Sequence, residues 1–62
     1  MQFETQCMIR STTDTRLFYW ANSQALGQLW RSKDEGRRFR NSNVAEATIR
    51  HDNLHDYEIV RS

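Results

Sequence analysis

The sequence predicts an α+β fold: a mainly antiparallel sheet of three to five strands, with one short helix over about residues 42–52 packed on one face. Two patterns carry the prediction. Apolar residues alternate with period two near both ends of the chain, as half-buried strands require. Between them, Val44, Ala45, Thr48 and Ile49 recur at helical spacing. The order reads β-β-(β-β)-α-β. No proline, Gly/Ser linker, repeat or low-complexity tract interrupts the 62 residues, so 1–62 reads as a single domain.

The first strand is expected over Phe3 to Ile9. Phe3, Thr5, Cys7 and Ile9 share one side, and Gln2, Glu4, Gln6, Met8 and Arg10 share a mostly polar one. Ser11 to Thr15 carries turn chemistry, and Leu17 to Ala21 is dense in strand formers. Both faces of that second strand are apolar, so either Leu17 and Tyr19 or Phe18 and Trp20 turn inward. The less covered pair is then a core remainder, a homodimer seam or a partner-binding patch.

Residues 22–32 admit two readings. Ser23 can cap a helix that places Ala25, Leu26, Leu29 and Trp30 on one face. Gly27 in mid-segment costs such a helix about 1 kcal/mol relative to alanine. The alternative makes Asn22 to Gly27 a loop and Gln28 to Ser32 a third strand, and it is preferred. Lys33-Asp34-Glu35-Gly36 then reads as a tight turn with Gly36 at positive φ. Arg37 to Arg40 follows as a short edge strand with Phe39 inward and arginines deterring further pairing. Asn41 or Ser42 caps the helix. Asn53 suits its left-handed end, with Leu54 against Ile49. Tyr57 to Val60 is the final strand.

The composition excludes several classes. Hydrophobic residues are 37%, and net charge is only +1, too small for a bulk polyelectrolyte binder. No apolar run approaches a membrane span and no signal-peptide core opens the chain, so no membrane partner is expected. The single cysteine, Cys7, permits no internal disulfide and fits a reducing, cytoplasmic setting. Its place on an apolar strand face reads as a buried, inert thiol.

The basic cluster is the main functional signal. Arg31, Lys33, Arg37, Arg38 and Arg40 fall within ten positions, with Trp30 and Phe39 beside them and Trp20 upstream. Arginine favours planar, bidentate contacts with carboxylate or phosphate. The same residues also suit a solvated turn, an acidic patch on a protein, or a nucleic-acid backbone with stacked bases. The run His51-Asp52-Asn53-Leu54-His55-Asp56 has the atoms of a divalent-ion site, but Asn53-Leu54 reads as a helix stop that breaks the spacing. No metal, cofactor or catalytic motif is expected.

The anchors Phe39, Ala45, Ile49, Leu54 and Ile59-Val60, with Tyr19-Trp20 and Trp30 upstream, resemble the layout of many small phage and prophage proteins. That resemblance implies a mobile-element origin and binding to a host component. The expected function is therefore a small non-enzymatic protein that binds a host protein's acidic patch through Arg31, Lys33, Arg37, Arg38, Arg40, Trp20 and Trp30. A nucleic-acid-binding module using the same surface is the alternative, and a homodimer is compatible with either.

Overall fold

A computed structural model describes residues 6–61 of the chain. Strands β1 (Cys7–Ser11), β2 (Phe18–Ser23) and β3 (Gly27–Arg31) are followed by helix α1 (Ser42–Asp52) and strand β4 (Tyr57–Arg61). The sheet is antiparallel with strand order β3-β2-β1-β4. The expected α+β class holds. The stretch Phe3 to Thr5 of the expected first strand lies outside the described residues. Among the described residues no helix is long and apolar enough to cross a membrane.

Each turn has a local cause. After β1, the Ser11 hydroxyl accepts from the Thr13 and Asp14 N–H groups at 3.2 and 3.1 Å. Asp14 then accepts from the Arg16 N–H at 3.1 Å. Both are side-chain mimics of a backbone turn. After β2, Ser23 Oγ accepts from Ala25 and Leu26 N–H, both at 3.2 Å. Gly27 closes that loop at φ 76, which glycine adopts without penalty. Residues 22–32 are thus strand, turn and strand, with β2 running through Asn22 to Ser23 rather than yielding to a loop there.

Helix α1 starts at Asn41, whose side chain accepts from the Val44 N–H, and ends at Asn53 in the left-handed conformation at φ 55. The Leu54 N–H reaches back to the Ile49 carbonyl at 3.0 Å, the overshooting bond of a Schellman ending. Ala45 and Ile49 are the buried part of the helical stripe, whereas Val44 is exposed. They meet Ile9, Tyr19, Phe39 and Leu54, with Trp30, Tyr57 and Ile59 around them. Burying a side chain such as Ile49 contributes about 1.5–3 kcal/mol.

The segment after β3 departs from expectation. Arg37 to Arg40 is not an edge strand: it makes one bridge, Cys7↔Phe39, and lies inside the sheet. β1 and β2 register only at Arg10↔Phe18 and diverge beyond it. Into the gap runs the chain from Gly36. The Arg37 N–H donates to the Tyr19 carbonyl at 2.9 Å, and Phe39 exchanges two bonds with Cys7 at 2.9 and 2.7 Å. The chain is a wedge that supplies the hydrogen bonds the splayed strands cannot give each other.

Gly36 does not take the positive φ expected of it. It is needed for close approach instead. A Cβ there would lie 2.6 Å from both Met8 Cε and Phe18 Cβ. Met8, assigned by alternation to a polar face, is fully buried, and Phe18 is buried too. The Ser32–Gly36 turn therefore covers part of the sheet face opposite the helix, and both faces carry some core.

Candidate functional site

On the face opposite the helix, one aromatic residue is left out. The β2–β3 register runs Tyr19↔Trp30 and then Ala21↔Leu29, so Trp20 is the extra residue of a β-bulge. Tyr19 stays fully buried, while Trp20 remains 45% exposed. The Arg31 guanidinium lies over the Trp20 ring, 5.5 Å from its centroid. That contact is a cation–π pair which holds two long side chains in one arrangement. The two inward/outward alternatives for the second strand both fail, because Phe18 and Tyr19 are each buried on opposite faces while Leu17 and Trp20 are both exposed.

The structure distributes the sequence-predicted site residues rather than gathering them. Arg31 ends β3 beside Trp20. Lys33 is exposed in the turn that follows, and Arg38 and Arg40 are exposed along the wedge. Trp30 belongs to the core periphery, edge-to-face with Tyr19 at 5.4 Å between centroids. Arg37 lies over the Phe39 ring at 5.2 Å and points toward the helix side of the molecule.

There Arg37 lines an open cleft of about 450 Å³ with Ala21, Asn22, Thr48, His51 and Asp52. The Tyr19 hydroxyl donates to Asp52 Oδ2, and the other carboxylate oxygen meets His51 Nδ1 at 2.8 Å. The Tyr19 hydroxyl first, and the His51 imidazole second, hold the Asp52 carboxyl below its ordinary range. Burial first, and the hydrogen bond to Asp52 second, push the Tyr19 phenol well above its ordinary value. Chemically the chain Tyr19–Asp52–His51 fixes the imidazole ring and presents its far nitrogen outward. Sequence reasoning missed this group. His51 and Asp52 fall at the end of the expected helix, where the sequence suggests only the atoms of a divalent-ion site, and Tyr19 lies 33 residues away with nothing local to announce the contact.

His55 lies apart from this chain, beside Gln28, Trp30 and Asp56 in a second, smaller cleft. Among the described residues no group of three or more His, Cys, Asp and Glu side chains could hold a metal ion. No protein-family model matches the chain, and no curated protein or solved structure matches it.

Proposed function

We propose that this chain is a small non-enzymatic binding protein that docks its Trp20–Arg31 face on an acidic patch of a partner protein. The observation that carries the reading is the bulge at Trp20, which keeps a large aromatic out of an otherwise economical core. Aromatic and arginine side chains are the commonest anchors of protein interfaces. Stacking on Trp20 restricts Arg31 before binding, so less freedom is lost on association. The guanidinium edge stays open to a carboxylate in a bidentate contact. Exposed Lys33 and Arg38 add positive field that speeds encounter with an acidic surface. The resemblance of the sequence layout to small phage and prophage proteins favours a host protein in the cytoplasm as the partner. The free, buried thiol of Cys7 suits that compartment.

A base stacked on Trp20 is the rival occupant. Affinity capture from a nuclease-treated bacterial lysate, with wild type and Trp20→Ala in parallel, separates the two. A protein retained by wild type, lost with Trp20→Ala and indifferent to nuclease supports the reading. Retention that disappears with nuclease, or an affinity falling log-linearly and steeply with salt, replaces it with nucleic acid.

A further inference from the structure

We propose that the outer edge of β4 is a self-pairing surface, on which a second copy of this chain adds its own β4 antiparallel about a two-fold axis at Ile59. The argument starts from which way the backbone groups point. On β1, Cys7 exchanges hydrogen bonds with Phe39 and the Ser11 N–H donates to Leu17, so odd-numbered residues turn their N–H and C=O groups toward β2. Met8 and Arg10 therefore turn theirs toward β4. Their register partners Val60 and Glu58 face back toward β1. The Thr12 N–H to Asp56 carbonyl bond, 2.9 Å, continues that alternation. Tyr57, Ile59 and Arg61 are left presenting their N–H and C=O groups at the free edge. Among the described residues no further strand pairs there.

This edge carries two charged side chains, Glu58 and Arg61, but none of the other usual deterrents. Its sequence YEIVR holds no proline, glycine or lysine, and its pairing with β1 runs without a bulge. The outward groups are symmetric about Ile59. A two-fold at that residue sets Tyr57 opposite Arg61 of the second copy and Ile59 opposite Ile59. All are then hydrogen-bonded pairs, so backbone and side-chain matching coincide in one register. Tyr57 and Ile59 are half-buried against the helix-side core. The second copy's Ile59 would extend that core across the seam, and its Arg61 would lie over the Tyr57 ring. On the other face Glu58 would sit opposite Val60 of the second copy, its charge already met by its own Arg10 at 2.9 Å. Moving the two-fold from Ile59 to Glu58 would oppose Glu58 to Glu58, which like charges disfavour. The product is one continuous sheet made of two four-stranded halves. The proposal is independent of the Trp20–Arg31 surface, which leaves that face open in the dimer.

The test is sedimentation velocity over a concentration series, with amide hydrogen exchange on the same samples. The expected result is a concentration-dependent species of two chains, with the Tyr57, Ile59 and Arg61 amides gaining protection as it forms. Arg61→Pro removes an N–H that points away from β1 and that no described residue accepts. It should weaken self-association tenfold or more while leaving the melting curve of the dilute protein in place. A monomer at the highest soluble concentration overturns the proposal. So does a dimer in which those three amides stay unprotected, which would locate the seam elsewhere.

Discussion

The Tyr19 hydroxyl donates to the Asp52 carboxylate, tying the start of β2 to the last turn of α1 across 33 residues of sequence. Hydrogen bonds to charged groups contribute about 1.5–3 kcal/mol. Tyr19→Phe keeps the ring in its core position and should lower stability by about that much. The difference should depend on pH in a defined direction. The Asp52 carboxyl is depressed, so its contribution is present above its ordinary 3.8 and is lost as pH falls through the lower folded value. The phenol is raised, so its contribution is complete below its ordinary 10.0 and fades as pH rises from there through the folded value. Melting both proteins across pH should show a constant gap between those limits and a narrowing one below 3.8. A gap that stays constant into strong acid would show that the bond does not draw on the Asp52 charge.

The two glycines should fail for different reasons. Gly36→Ala forces a Cβ to within 2.6 Å of Phe18 Cβ, a backbone-proximal atom that cannot swing aside. Overpacking of this kind costs about 1–3 kcal/mol. Gly27→Ala meets nothing within 4 Å but places alanine at φ 76, a strain of about 1–2 kcal/mol. Urea unfolding of Gly36→Ala with and without Met8→Ala separates the causes. Trimming Met8 should recover little, since Phe18 still blocks the site, and full recovery would assign the clash to Met8 alone.

Ala45 is fully buried between the helix and the sheet. Ala45→Asp places an unpaired carboxylate among Ile9, Phe39 and Leu54, at a cost of several kcal/mol that rivals the stability of a domain this small. Far-UV circular dichroism should show an unfolded or molten chain at ambient temperature. Cooperative melting at the parental temperature would contradict the core assignment.

The arginines should separate by position. Arg31→Glu with Arg38→Glu alters two exposed side chains and should leave the melting temperature within a few degrees of wild type. It should weaken partner capture tenfold or more, since like charges then oppose an acidic surface. Arg37→Glu is the contrasting case. It brings a carboxylate toward Asp52 and removes a cation from the Phe39 ring, so its effect should fall on stability. If both variants melt alike and capture alike, the cluster has no division of labour.

The helix and its caps could be read directly, because Asn41, Asn53 and Leu54 act through neighbours a few residues away. The third strand was legible from the position of Gly27, although its true role is the left-handed loop closure. The wedge was not legible. Its hydrogen bonds go to Tyr19 and Cys7, and no period-two pattern over Arg37 to Arg40 distinguishes a bridge inside a sheet from a strand at its edge. For the same reason the burial of Met8 was hidden. Alternation assigns a residue to a face but does not say that a turn from elsewhere will cover that face. The site residues follow this division. The exposure of Trp20 depends on a one-residue slip against β3, and the Tyr19–Asp52–His51 chain depends on where the helix lands.

The wedge also constrains the route by which the chain assembles. A β1–β2 hairpin is the local, fast-forming unit in most antiparallel sheets, but here a fully zipped hairpin would close the slot that Gly36 to Phe39 must enter. The productive transition state must therefore hold the hairpin open at Cys7 and Tyr19 until a segment from later in the chain arrives. Stopped-flow refolding of Gly36→Ala should then slow in proportion to its loss of stability, with the unfolding rate nearly unchanged. The opposite pattern would mean that the wedge locks in only after the barrier, as a latch on a sheet already built.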